Sequence, residues 1–228
     1  MKFIMTKVLF FFSIFILFSK ILISNVFAAP TFVHGFSVNS QETNPAGLAF
    51  SADGTKMFHV GNINTGNHAK TNADVFEYAL STPWDVSSAT YVDAFSVIDE
   101  MKVDNQSSLP YGITFNNDGT QMYVSDYGIT DSIYQYTLSR AYDVSTASYA
   151  NKSIDVDAKV GSANRGPCGI RFNNDGTKLF VAGFSDSQIY EFTLSTAFDI
   201  STASYVDGFD VAPKVIEIEI SNLTLMEL

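Results

Sequence analysis

The chain has 228 residues, with 24 acidic against 13 basic side chains and a formal net charge of −11. A surface this acidic repels phosphate at long range, which makes nucleic acid and anionic lipid poor partners, and no nucleic acid is expected. Its single cysteine, Cys168, cannot form an internal disulfide, so the fold rests on its packed core, and the length suffices for one or two ordinary domains.

Lys2 and Lys7 precede an apolar run from Val8 to Phe18, and Val26-Phe27-Ala28 puts small or β-branched residues where a signal peptidase reads. Residues 1–28 are therefore expected to be a signal peptide cleaved after Ala28. Lys20 interrupts the apolar segment and leaves it short of the roughly 20 residues that a spanning helix needs, so an uncleaved anchor is the lesser alternative. Cleavage removes three lysines and no acid, taking the net charge from −11 to −14. The mature chain is expected to be exported, to the periplasm or outside the cell.

Thr31-Phe32-Val33-His34-Gly35-Phe36-Ser37-Val38 comes next and is echoed near the other end by Ser204-Tyr205-Val206-Asp207-Gly208-Phe209-Asp210-Val211. Between them one pattern is written three times. Pro45-Ala46-Gly47-Leu48-Ala49-Phe50 is answered by Pro110-Tyr111-Gly112-Ile113-Thr114-Phe115 and Pro167-Cys168-Gly169-Ile170-Arg171-Phe172, at intervals of 65 and 57 residues. Each leads into an Asp-Gly-Thr turn, at Phe50–Thr55 (FSADGT), Phe115–Thr120 and Phe172–Thr177 (both FNNDGT), and then into Lys56-Met57-Phe58, Gln121-Met122-Tyr123 or Lys178-Leu179-Phe180. After a variable gap, Phe76-Glu77-Tyr78-Ala79-Leu80-Ser81 matches Tyr134–Ser139 and Tyr190–Ser195. An aromatic-Asp-Val/Ile-Ser element follows at Trp84–Ser87, Tyr142–Ser145 and Phe198–Ser201, and a tyrosine-led segment ends each copy at Tyr91–Val97, Tyr149–Val156 and Tyr205–Val211.

Within these blocks the apolar spacing is two, which predicts strands with one buried aromatic face. No helical pattern appears in the mature chain. Each unit therefore reads as four short strands, A to D, and tandem four-stranded units point to a propeller because only neighbours can cover their apolar faces. The predicted organisation is a repeat domain over 29–211, with units at about 31–89, 90–147 and 148–203 and a strand at 204–211, followed by a divergent tail, 212–228. Asp-Gly between strands A and B is a hairpin signal. A calcium loop would need further oxygen ligands at regular offsets, and none follows, so no metal is expected there. The aspartates of the aromatic-Asp-Val/Ile-Ser element are expected to bond to backbone two residues on.

Pro-x-Gly-Ile-x-Phe-x-x-Asp-Gly-Thr-x-Met-Tyr-Val followed by Ile-Tyr-x-Tyr-x-Leu-Ser resembles the repeats of lactonase-type and YVTN-type β-propellers, and more closely the tandem propeller-like repeats of exported bacterial proteins. The resemblance covers nearly all of Thr31–Val211. It implies an all-β, β-propeller-like fold of about three four-stranded antiparallel blades, and it is nearly silent on activity, because such propellers host hydrolases, quinone-dependent dehydrogenases and binding modules alike. Thr31–Val38 reads as an outer D strand lacking its own A, B and C. Three units are too few for a ring of four to eight blades. The chain is then a piece of a longer propeller, which is the preferred reading, or an open arc, or half of a six-bladed pair.

Chain direction sends the D–A and B–C connections to one end of the units and the A–B and C–D connections to the other. The second end is nearly constant among the copies and the first varies, so recognition is expected at the first. The candidate binding residues there are Asn62, His68, Asp126, Tyr127, Arg165 and Asp186, beside Asn64 and His59. Equivalent ends of strand B carry Gly61, Asp126 and Gly183, which speaks against a ring of metal ligands. His59 reads as a strand residue, Cys168 as a buried small residue, and Glu77 and Glu191 as solvated strand positions. No catalytic residue, metal or cofactor is expected. The preferred function is binding or scaffolding, with a protein or carbohydrate ligand and self-association through open blade edges. The alternative is a lactonase-like hydrolase with a channel site assembled from the variable loops.

Overall fold

The computed structural model describes residues 31–61, 75–97, 109–127, 131–161 and 166–211. The chain divides into two compact units, Met1–His34 and Gly35–Leu228, and every described strand lies in the second.

The period-two segments form the expected sheets. Strands β1 (Pro45–Phe50), β2 (Lys56–Gly61), β3 (Val75–Leu80) and β4 (Ala89–Phe95) make one antiparallel meander in chain order. Strands β5 (Pro110–Phe115), β6 (Gln121–Asp126), β7 (Ser132–Leu138) and β8 (Ala147–Asp155) make the second. The third contains β9 (Pro167–Phe172), β10 (Lys178–Gly183), β11 (Gln188–Leu194) and β12 (Ala203–Asp210). The protein is all-β, with three propeller-like blades, here called blades 1, 2 and 3. The outermost strand bulges at the same place in each, opposite Glu77/Tyr78, Gln135/Tyr136 and Glu191/Phe192. Blade 2 carries one residue more there, and Asn151 absorbs it with a φ of 56°.

Among the described residues four short helical elements depart from the strand-only expectation: a 3-10 turn after each aromatic-Asp corner (Val86–Ser88, Val144–Thr146 and Ile200–Thr202) and the five-residue helix α1 (Val156–Val160) between blades 2 and 3. The caps of α1 explain it. Asp155 accepts from Ala158 N, Asp157 sits in the first turn and Lys159 in the last, and Gly161 ends it in the left-handed region. A single turn is too short to leave a periodic signature.

The Asp-Gly-Thr elements are turns, and their carboxylates are already used. Asp118 accepts from Thr120 N (2.9 Å) and the Thr120 hydroxyl (2.6 Å), and Asp53 does the same with Thr55 at 3.0 and 2.8 Å. The following glycines, Gly54, Gly119 and Gly176, all have φ of 72°. Each also lies under an aromatic ring from the later block, Trp84, Tyr142 or Phe198, and a β-carbon added at Gly119 would stand 2.2 Å from the Tyr142 ring. The aromatic amides donate to the glycine carbonyls at 2.9 Å in all three copies. The aromatics themselves have φ of 65°, 56° and 61°, a conformation that bulky side chains adopt only when their surroundings impose it. Asp85 and Asp199 accept from the amide two residues on (2.9 and 3.1 Å), as expected. Asp143 instead takes the Ser145 hydroxyl (2.5 Å) and pairs with Arg140 (2.9 Å).

The core lies between blades. Call the face carrying Phe58, Tyr123 and Phe180 the forward face of each blade. Phe58, Val60, Val75 and Val97 of blade 1 pack into one cluster with Ile113, Met122 and Tyr136 on the opposite face of blade 2. Tyr123, Ile133, Ile154 and Val156 of blade 2 pack likewise on Ile170, Phe172 and Tyr190 of blade 3. Fully burying one such aliphatic or aromatic side chain contributes about 1.5–3 kcal/mol.

A polar clasp closes each junction. Glu77 is not a solvated strand position: it is 2% exposed, pairs with Lys56 at 2.7 Å, and accepts the amide of Val144 at the first turn after the blade 2 corner (3.0 Å). The Lys56 ammonium also donates to the Tyr142 carbonyl (2.7 Å). At the next junction Gln135 accepts from Ile200 N (3.2 Å) and the Tyr123 hydroxyl donates to the Phe198 carbonyl (2.6 Å). Different side chains thus satisfy the same two backbone groups. Strand periodicity marked Glu77 as solvent-facing because it assumes one wet face, and here a neighbouring blade covers that face. Glu191 remains the half-exposed copy, paired with Lys178 at 2.6 Å.

Residues 31–38 form no strand, because no C strand pairs with them among the described residues. Phe36 nonetheless packs edge-on against Tyr78 (5.6 Å), as Phe95 of β4 packs against Tyr136 of blade 2 (5.5 Å), and Val38 joins the Met57–Phe76–Tyr78–Leu80 cluster. The tail 212–228 lies outside the described residues, as does the proposed leader.

Candidate functional site

At the variable end Tyr127 and Asp131, on either side of the B–C connection of blade 2, meet Gly166 and Phe184 of blade 3. Asp126 closes β6 and is buried, with its Oδ1 accepting the Leu109 amide at 2.5 Å. Tyr127 follows, its amide donating to the Leu109 carbonyl (2.8 Å), which staples the incoming D–A connection to the end of strand B. The Tyr127 ring then meets Tyr111 at 5.3 Å and Phe184 at 5.2 Å, both edge-to-face. Gly166 lies under Tyr127 with φ of 57°, and a β-carbon there would come within 2.1 Å of the ring. Its carbonyl accepts the Phe184 amide at 3.0 Å. Phe184 is 61% exposed, so the trio presents an aromatic edge to solvent.

Behind this edge stand three carboxylates. Asp131 is buried with φ of 41°, and its carbonyl accepts the Val156 amide at the start of α1 (3.0 Å). Burial, then the charge and hydrogen bond of Asp157, push the Asp131 carboxyl up to about 6, against a hydrogen bond from the Gly166 amide; Asp126 adds to the rise. Among the described residues, no group of three His, Cys, Asp or Glu is placed to hold a metal ion.

Of the residues expected at this end, Asp126 and Tyr127 join the cluster. Asp186 accepts the Tyr190 hydroxyl inside blade 3. Asn62, Asn64, His68 and Arg165 lie outside the described residues. Sequence reading missed Tyr111, Asp131, Asp157 and Phe184. Asp131 and Phe184 lie in B–C connections and Asp157 in the D–A connection that forms α1, all at the end already marked as variable, and an aromatic at the Ala46/Tyr111/Cys168 slot of strand A was the available signal for the fourth. It missed Glu42 as well, whose carboxylate occupies the space that a side chain at Gly61 would take. His59 is buried between Phe76 (4.7 Å) and Tyr78 (5.6 Å), with Nε2 3.2 Å from the Tyr78 hydroxyl, and burial lowers its basicity. It fills a strand slot held elsewhere by valine. Cys168 is half-buried, donates to the Ala182 carbonyl (3.4 Å), and has its thiol pushed up by burial.

A second concavity of about 160 Å³ lies at the constant end, where Asn116, Asn117, Asn173 and Asn174 of the turns converge beside Arg171. Asn117 Nδ2 donates to the Asn174 carbonyl at 2.6 Å, so the turns of blades 2 and 3 brace each other there.

Among solved structures, the chain is similar to a periplasmic gluconolactonase of Pseudomonas aeruginosa, at 15% identity and a TM-score of 0.50, over 73% of this chain and 40% of that one. A protein from Lactobacillus plantarum aligns at 16% identity and a TM-score of 0.48, over 75% of this chain and 43% of its own. A Bacteroides fragilis protein proposed to be a 6-phosphogluconolactonase aligns at 14% identity and a TM-score of 0.49, over 73% of this chain and 39% of that one. The chain thus spans about 40% of the length of the structures it matches. No family model matches the sequence, and no curated protein matches it. At such low identity the likeness to the gluconolactonase is one of fold: the chain folds as lactonase-type propellers do.

Proposed function

We propose that the protein is an exported propeller module that binds a neutral carbohydrate at the variable end of blades 2 and 3. The single observation behind this reading is the Tyr111–Tyr127–Phe184 edge backed by Asp126, Asp131 and Asp157. Rigid aromatic faces offer contact area at small entropic cost, and the partly exposed Asp157 carboxylate beside them supplies an acceptor for a hydroxyl group. The acidic surface disfavours anionic ligands. Export rests on the leader-like residues 1–28, and the protein or scaffold roles foreseen for the fold remain subordinate to ligand capture at this edge.

The test is isothermal titration of the exported chain against a panel of neutral oligosaccharides. Binding is expected, and Phe184→Ala and Tyr127→Ala should each weaken it about tenfold or more while leaving the circular dichroism spectrum unchanged. No binding across the panel, or binding indifferent to both substitutions, would sink the reading.

A hydrolase reading is favoured by one observation, the Asp131 carboxyl raised to about 6 beside Asp157, a value suited to a general base. Lactone hydrolysis abolished by Asp131→Asn would replace the binding reading with this one.

A further inference from the structure

We propose that the forward face of blade 3 docks on the opposite, outward-facing side of blade 1 in a second copy of the chain, reproducing the junction between blades 1 and 2. This partner is independent of any ligand at the variable end.

Blade 3 repeats the full donor set of the first junction. Lys178, Phe180 and Glu191 stand where Lys56, Phe58 and Glu77 stand in blade 1, with the Lys178–Glu191 pair already formed at 2.6 Å. In the first junction that set grips the carbonyl of the corner aromatic and the amide two residues later. The apolar positions agree. Phe209 and Val211 are 69% and 49% exposed, whereas their equivalents Ile154 and Val156 in blade 2 are 3% and 0% exposed beneath blade 3.

The complementary surface lies on blade 1. Leu48 is 59% exposed while its equivalents Ile113 and Ile170 are buried, and Trp84 is 59% exposed at the one corner that no blade covers among the described residues. Between Leu48, Met57, His59 and Val86 runs an apolar groove of about 330 Å³. In the first internal junction the equivalents of these groove residues, Ile113, Met122, Val124 and Val144, share one cluster with Phe58, Val60 and Val75, and Phe58 lies on Phe115 and Tyr142 (4.6 and 6.3 Å), the equivalents of Phe50 and Trp84. Phe180, Ala182 and Ile189 of a second copy are therefore the side chains that would cover Phe50, Trp84 and the groove, and Lys178–Glu191 the pair that would grip the Trp84–Val86 corner. The contact is heterologous, so each copy offers one face of each kind, and two copies can form two identical junctions.

Phe36 and Val38 sit where Phe209 and Val211 of the second copy would arrive, since Phe36 holds Tyr78 as Phe95 holds Tyr136. Residues 36–38 thus act as an internal stand-in that yields when the copies join, and weakening their hold should tighten association.

The test is the mass of the exported chain by analytical ultracentrifugation over a concentration series. The wild type should associate reversibly, Glu191→Lys should weaken association about tenfold, and Phe36→Ala should strengthen it. Phe180→Asp and Leu48→Asp should each be monomeric alone and should form a 1:1 dimer when mixed, because one intact pair of faces then remains. The dimer on mixing also proves both variants folded. A wild type monomeric throughout the series, association unchanged by Glu191→Lys, or failure of the mixed variants to pair would overturn the proposal.

Discussion

Asp131 and Asp53 show how opposite surroundings set opposite pH dependences in one chain. Burial and the neighbouring Asp157 raise Asp131 from 3.8 to about 6, so the folded state holds this proton more tightly than the unfolded state does. Stability from this group is therefore gained as the pH falls from above 6 toward 4, and the buried charge costs about 1–2 kcal/mol at neutral pH after solvent screening. The Asp53 carboxyl is held down at about 2 by hydrogen bonds from Ser51 and then Thr55, and Asp118 and Asp175 are lowered in the same way. Their support is present above about pH 4 and is lost as the pH falls toward 2. The melting temperature should thus rise from pH 7.5 to about 5 and fall below about 4. Relief of the general acidic repulsion contributes to that rise, so the diagnostic measurement is the difference made by Asp131→Asn. That variant should be more stable than wild type at pH 7.5 and lose its advantage by pH 5, and superimposable curves would refute the assignment.

The repeated corner is the element that most constrains each blade. It couples the A–B turn to the C–D connection through a glycine in the left-handed region, an aromatic ring laid on it, and an aromatic backbone held in the same region. Gly119→Ala should cost about 2–4 kcal/mol in denaturant unfolding, from the unfavourable φ and from displacement of the Tyr142 ring, which is held between blades. Gly54→Ala should cost less, because the Trp84 ring is exposed and can swing aside. Equal costs at both sites would mean that the backbone conformation alone decides. Much of this element was legible beforehand: Asp-Gly announced the turn, period two announced the strands, and comparison between copies exposed both blocks. What linked the blocks was not legible, because a ring resting on a glycine 22 to 30 residues away leaves no periodic trace. Helix α1 escaped for want of a second turn. Asp126 and Tyr127 were found because their loops vary between copies, while Asp131 and Phe184 needed the folded loops to show that they converge.

At the scale of the whole molecule, stability is a sum of blades and junctions, as in other repeat proteins. Each blade buries one face only by lending it to a neighbour, so the junctions decide whether the blades unfold together. The two internal clasps use different chemistry for the same task, which makes them separable by substitution. Glu77→Ala leaves the partly exposed Lys56 without its carboxylate and the Val144 amide without its acceptor, a loss of about 2–3 kcal/mol. The triple change Lys56→Gln, Phe58→Tyr, Glu77→Gln installs the side chains of the second junction, in which Gln135 and Tyr123 satisfy the same groups, and should cost less than Glu77→Ala alone. The sharper consequence concerns cooperativity. In Glu77→Ala, blade 1 should unfold at lower denaturant than blades 2 and 3, which remain joined by Gln135 and Tyr123. Fluorescence of Trp84, the only tryptophan, reports blade 1, and circular dichroism reports all three. Coincident transitions in wild type should separate in the variant, tryptophan first, and restored coincidence in the triple variant would locate the coupling in the clasp. Coincident curves in Glu77→Ala would instead place it in the apolar contacts among Phe58, Phe115 and Tyr142.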